Sequence, residues 1–236
     1  MSLAIAIILF VTAFLALYWA FYGQRKYNEM LNPKRKTELK AIIFDLDGVI
    51  INSFDAWFHV FNKTRRHFKL KELTKEEFRR KAWGKILDTE LKKNFPDKNI
   101  KEIKDQYKAL IAKSIDKIKL LPGSKDVLLE IKKKNIRIGL VTNNFRKPVK
   151  KILELHKIGK YFDAIVAEED VEMPKPYPDG ILKACKKLNV QPDEIIYVGD
   201  RENDYKAGKA AGAFVVGLNT KGDLIISQLK DLLQLL

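Results

Sequence analysis

The sequence predicts an α/β protein: a Rossmann-like, doubly wound parallel sheet with an α-helical segment inserted after its first strand. Three observations carry this. From Lys40 onward, short runs rich in Ile and Val alternate with amphipathic stretches. Each short run is bounded by Gly, Asp or Asn, as buried strands are. The alternation breaks once, over residues 53–119, where dense charge and helical apolar spacing replace it. Strand–helix alternation implies right-handed crossovers, and so parallel strands covered by helices on both faces.

Before this body comes a different kind of segment. Leu3 to Tyr22 contains no charged residue, and a helix of that length spans about 30 Å, the thickness of a bilayer's hydrocarbon core. Tyr18, Trp19, Phe21 and Tyr22 close it as interfacial aromatics do, and Arg25, Lys26, Lys34, Arg35 and Lys36 follow. Residues 1–23 are therefore expected to form a transmembrane anchor. Residues 24–39 form a basic juxtamembrane linker suited to anionic lipid. Positive charge after the span and none before it orients the body toward the cytoplasm.

In the body, Ala41–Phe44, Arg137–Val141, Ala164–Ala167, Ile195–Val198 and Phe214–Leu218 read as strands. Helical stretches fall near Ser124–Lys134, Pro148–Leu155, Pro178–Leu188 and Asn203–Ala211. Residues 40–52 and 120–236 make one α/β core. Residues 53–119 make a helical cap, with Phe54, Trp57, Phe58, Phe61, Phe78, Trp83, Ile103, Tyr107 and Ile111 at helical spacing. Lys and Arg number 45 against 30 Asp and Glu, a formal charge of +15. Such a field favours anionic partners, although Lys interleaved with Glu is also an ordinary solvated surface. The single cysteine, Cys185, excludes an internal disulfide and lies in an amphipathic helix, where a small buried side chain is expected. No ordered nucleic-acid motif or aromatic–basic interleaving is present.

The chemistry-bearing residues follow the strands. Asp45 and Asp47 leave the first strand two residues apart and face the same way, with Gly48 allowing a tight turn. Thr142, Asn143 and Asn144 end the second body strand in VTNN. Lys175 is bracketed by Pro174 and Pro176 in MPKPYPD. Asp200 ends a later strand in VGDRENDYKAG, and Asp204 opens the next helix. All fall at carboxyl ends of strands, where open parallel sheets bind ligands. Four carboxylates around one site repel one another unless a cation relieves them.

The ordered set FDLDGV, VTNN, KPYPD and GDRENDYKAG resembles the haloacid-dehalogenase superfamily, and is most similar to its phosphoglycolate-phosphatase-type branch, over roughly residues 40–220. The resemblance implies that Asp45 attacks phosphorus to form an aspartyl-phosphate, with Asp47 as general acid and then base. It implies that Thr142, Asn143 and Lys175 hold the phosphoryl group. It also implies that Asp45, Asp47, Asp200 and Asp204 serve a Mg²⁺ ion, a hard cation suited to carboxylate oxygens. Gly84 and Lys85, where Trp83-Gly84 punctuates a helical pattern, are the expected substrate loop of the cap. Other cap cations (Lys63, Arg65, Arg66, Arg79, Arg80) are candidates for an anionic group of the substrate. Asp47 argues against dehalogenation, because a halide leaving group needs no proton.

The expected activity is Mg²⁺-dependent hydrolysis of a small phosphorylated metabolite. Sugar phosphomutation and a catalytically idle, membrane-tethered anion-binding module are the alternatives. The anchor has a direct test: after a carbonate wash the full chain should stay in the membrane pellet, and recovery in the supernatant would reduce residues 1–23 to a peripheral helix.

Overall fold

The computed structural model describes residues 37–83 and 87–236. The apolar run, the linker up to residue 36, and the Gly84–Lys85 loop lie outside the described residues. No helix among the described residues is long and apolar enough to cross a membrane.

Strand β1 (Ala41–Phe44) is buried along its whole length, as expected of a central parallel strand covered on both faces. A short strand β2 (Ile51–Asn52) leads into four helices: α1 (Phe54–His67), α2 (Lys75–Lys81), α3 (Leu87–Asn94) and α4 (Ile100–Ala112). A second short strand, β3 (Lys119–Leu120), pairs antiparallel with β2 and closes the helical segment at its base. The chain then alternates: α5 (Ser124–Lys133), β4 (Arg137–Val141), α6 (Arg146–Leu155), β5 (Ala164–Val166), α7 (Asp179–Leu188), β6 (Ile195–Gly199), α8 (Glu202–Ala211), β7 (Phe214–Leu218) and β8 (Leu224–Ile226).

The main sheet has six strands in the order β5-β4-β1-β6-β7-β8, and every pairing is parallel. From β1 the chain winds outward through β4 to β5. It then crosses back to β6 on the other side of β1 and winds out to β8. The reversal opens a crevice beyond the carboxyl ends of β4, β1 and β6.

The α/β pattern was therefore legible, but three short strands were not. β8 is three residues long and follows β7 after the short connection 219–223, so its Leu-Ile-Ile reads equally as the start of the C-terminal helical run. β2 and β3 are two residues each, too short for any periodicity to register. Helix α6 starts at Arg146, which puts Pro148 in the first turn, where its missing N–H removes no hydrogen bond.

Within the helical segment, α2 starts with a reciprocal cap between Thr74 and Glu77. Phe61, Phe78, Leu91, Phe95, Ile103 and Tyr107 form the buried centre. Asn62, also buried, spends its amide on both backbone groups of Leu73, at 2.9 Å each.

Helix α8 packs closely on the sheet through Gly208, where an added Cβ would lie 2.4 Å from Cγ2 of Val215. Helix propensity favours Ala over Gly by about 1 kcal/mol, yet overpacking of this kind costs about 1–3 kcal/mol. Gly208→Ala should therefore lower the urea midpoint of unfolding; a raised midpoint would show that the contact relaxes freely.

Candidate active site

Asp45 follows β1 directly, and its N–H donates to the Val198 carbonyl of β6 at 2.9 Å. The carboxylate is buried, and its Oδ1 accepts from Lys175 Nζ at 2.6 Å. The same ammonium donates to Asp204 Oδ1 at 2.7 Å, to the Tyr197 hydroxyl at 3.1 Å and to the Val141 carbonyl at 3.3 Å. Tyr197 donates in turn to Asp204 Oδ1 at 2.9 Å. Lys175 is only 5% exposed, and a charge at that depth needs this full set of acceptors. Burial works against the ammonium, but Asp204 and Asp45 outweigh it and hold Lys175 well above the ordinary lysine value.

The loop carrying Lys175 is locked to the β4 loop by its backbone. Asn143 Nδ2 donates to the Lys175 carbonyl at 2.9 Å, and the Lys175 N–H donates to Asn143 Oδ1 at 3.0 Å. The Asn143 side chain thus braces two loops. Thr142 is buried beside it, with Oγ1 accepting from the Asn144 N–H at 3.2 Å.

Asp47 sits in a different environment. Its Oδ1 accepts from Trp57 Nε1 at 3.1 Å and from the Ser53 hydroxyl, and its Oδ2 accepts from Asn144 Nδ2 at 3.0 Å. Its carboxylate is not among the three that cluster. Those are Asp45, Asp200 and Asp204, which each offer an oxygen within 4.8 Å of the others.

Two glycines make the cluster compact. Gly48 has φ of +88°, and a Cβ there would lie 2.1 Å from Asp200 Oδ2. A Cβ at Gly199 would lie 2.2 Å from Cβ of Asp204. Both positions exclude any side chain, which lets the acids converge.

These carboxylates fit a hard divalent cation. One ammonium faces three acids. Asp200 Oδ1 is buried without a hydrogen-bond partner, its nearest cation being Arg201 Nε at 3.4 Å. An orphaned carboxylate oxygen beside two more oxygens is a donor set for such an ion. Without the ion, burial pushes Asp45 up to about 8, with Lys175 opposing and the neighbouring acids adding. Burial likewise raises Asp200 to about 6, against the pull of Arg201.

Above the acids lies a cavity of about 150 Å³. Asp45, Asp47, Thr142 and Lys175 line its floor; Trp57, Phe61, Phe78, Trp83 and Tyr107 of the helical segment line its far side. Among the described residues, none of Lys63, Arg65, Arg66, Arg79 or Arg80 lines it. Arg65 is spent on the carbonyls of Lys71 and Asn94, Arg66 on Glu72, and Arg79 stacks over Phe54. Besides Lys175 on the floor, Arg201 reaches the cavity, stacked 4.4 Å over Trp83.

Sequence reading missed Ser53 and Trp57 as partners of Asp47, and Tyr197 as a partner of Lys175. Ser53 and Trp57 are four apart and share a helical face, and a hydroxyl in the buried IIYVG strand needs a partner. Those were the available signals. Cys185 is buried, and burial raises its thiol to about 11, which leaves it inert.

Residues 42–218 match the family model of haloacid dehalogenase-like hydrolases. The chain is 29% identical to the pyrophosphatase PpaX of Anoxybacillus flavithermus over 84% of its own length and 97% of that protein. It superposes on the predicted phosphoglycolate phosphatase of Haemophilus somnus with a TM-score of 0.71 and 26% identity, over 84% of this chain and 98% of the other. For the β-phosphoglucomutase of Clostridium difficile the TM-score is 0.72 at 26% identity, covering 82% and 93%. A single family model spans most of the chain, including every acid of the cluster, Lys175 and Asp47. The chain therefore belongs to the haloacid dehalogenase-like hydrolase family, as a phosphoric monoester hydrolase.

Proposed function

We propose that this protein is a Mg²⁺-dependent phosphatase that hydrolyses a small phosphorylated metabolite through an aspartyl-phosphate on Asp45. The observation that carries this is the clustering of Asp45, Asp200 and Asp204, with one buried ammonium shared by Asp45 and Asp204 and an Asp200 oxygen left unpartnered. Asp45, Asp200 and Asp204 would hold the metal, which when bound supplies positive charge to the acids and to the phosphoryl oxygens.

The residues of the chain divide the remaining work. Lys175 Nζ holds Asp45 by its Oδ1, so the second oxygen is the one aimed at phosphorus. The new Oδ–P bond forms as the bond from phosphorus to the leaving oxygen breaks. Asp47 delivers a proton to that leaving oxygen, then takes one from the water that attacks the aspartyl-phosphate and frees Asp45. Ser53, Trp57 and Asn144 fix the Asp47 carboxyl for both transfers. Trp57 belongs to the helical segment, which serves as the cap: it walls the cavity and excludes water during the reaction.

The cavity volume favours a small leaving group. The relatives bear pyrophosphatase, phosphoglycolate phosphatase and phosphoglucomutase names, so inorganic diphosphate, phosphoglycolate and hexose phosphates define the assay panel. Phosphomutation is the second reading, favoured by the similarity to a β-phosphoglucomutase; isomerisation of a hexose phosphate without phosphate release would establish it. We further propose that residues 1–23 tether the enzyme to a membrane with its body toward the cytoplasm, a reading supported by the uncharged run and the basic residues after it.

Phosphate release across the panel should require Mg²⁺ and vanish with chelator. Asp45→Asn should reduce turnover by at least about three orders of magnitude, as loss of a nucleophile does; full activity in that variant would sink the mechanism.

The acid cluster also predicts a pH dependence. Carboxyls raised in the folded, metal-free protein bind protons there that the unfolded chain has released, so stability falls as pH rises from about 4 to about 8. Thermal melting of the chelated protein should drop across that window, and Mg²⁺ should restore it most at the upper end. Asp45→Asn should flatten the drop; an equal slope in wild type and variant would assign the effect elsewhere.

A further inference from the structure

Away from the crevice, helix α6 and the edge strand β5 bound a second depression of about 540 Å³. Its floor is apolar: Val149, Leu153 and Ile165. Its rim is cationic: Arg146, Lys150, Lys157 and Lys160, with Glu154 the one acid among its lining residues. Arg146 is paired with Asp170, and Lys150 stands 3.9 Å from Glu154. Lys157 and Lys160 have no acidic partner among the described residues. Leu155 is 50% exposed next to the groove.

Two more lysines extend the rim. Lys187 Nζ donates to the Ile165 carbonyl at 3.1 Å. Burial and the nearby charges of Arg146 and Lys183 hold its amine below the ordinary lysine value. Cations are thus crowded along this edge without enough acids to offset them.

The groove also has a direction. Helix α6 runs against the strands, so Lys157 and Lys160, which follow its last turn, lie at the end of the sheet where strands begin. The described chain starts at that same end: the Thr37 hydroxyl donates to the Asp193 carbonyl, and the Lys40 N–H donates to the Glu194 carbonyl at 2.9 Å. The catalytic acids lie at the opposite ends of the strands.

We infer that this groove is a docking surface for anionic phospholipid at the membrane that residues 1–23 enter. The inference rests on the proposed anchor. Rim lysines take the headgroup phosphates, while Val149, Leu153, Ile165 and the exposed Leu155 take the apolar region beneath them. A nucleic-acid surface would instead present aromatic rings for stacking, and none lines this floor.

The test uses the full chain reconstituted into phosphatidylcholine vesicles with and without phosphatidylglycerol, with lysine acylation followed residue by residue by mass spectrometry. Labelling of Lys150, Lys157 and Lys160 should slow about fivefold in the anionic vesicles, the attraction expected per cation near such a surface, and recover in high salt. Lys63 of α1 should label equally in both. Lys150→Glu, Lys157→Glu and Lys160→Glu, all at exposed positions, should abolish the lipid dependence at a fourth site, Lys187. Flotation with both vesicle types but equal labelling would overturn the docking surface and leave the anchor standing. Flotation with anionic vesicles alone would overturn the anchor yet support the groove. Flotation with neither would overturn both. Protection by heparin without protection by phosphatidylglycerol would overturn lipid in favour of another polyanion.

Discussion

The ammonium of Lys175 joins four separate segments of the chain. It bonds Asp45 after β1, the last carbonyl of β4, Tyr197 within β6 and Asp204 at the start of α8. Removing it would leave two buried carboxylates facing each other and a tyrosine hydroxyl donating into the same pocket, an arrangement low dielectric makes costly. Its loop is in turn held by the reciprocal amide bonds of Asn143. The geometry of the crevice and the placement of Asp45 and Asp204 beside each other therefore depend on one side chain finding all its acceptors.

That dependence leaves a deliberate imbalance. A single ammonium cannot satisfy Asp45, Asp200 and Asp204 together, and the excess appears as raised carboxyls and an Asp200 oxygen without a donor. Strain of this electrostatic kind is characteristic of functional sites. Gly48 and Gly199 permit it by removing the side chains that would otherwise hold the acids apart.

Asp45 and Asp47 show how environment separates two like residues. Asp45 is sunk into the core end of the crevice against Lys175. Asp47, two residues on, has turned toward the helical segment, where Ser53, Trp57 and Asn144 supply donors. One acid belongs to the sheet and the other to the junction between sheet and helices. Asp47 thus touches the element that walls the cavity, and Arg201 on Trp83 ties the loop after β6 to the same wall.

Much of the fold followed from local sequence. Buried parallel strands such as AIIF and IIYVG need unbroken apolar runs, and the helices between them need an amphipathic period, so both leave marks within a few residues. The order of Asp45, Thr142, Lys175, Asp200 and Asp204 was likewise readable, because each follows a strand. Pairing was not. Asp45 and Lys175 are 130 residues apart, and only the strand order that brings β1 between β4 and β6 makes them neighbours. The same holds for Tyr197 as a partner of the lysine, for Asp47 turning out of the acid cluster, and for Arg201 rather than a cap lysine or arginine reaching the cavity among the described residues. Short-range physics writes elements and residue types into the sequence. Which charges meet is decided by long-range packing, and only the tertiary structure holds that.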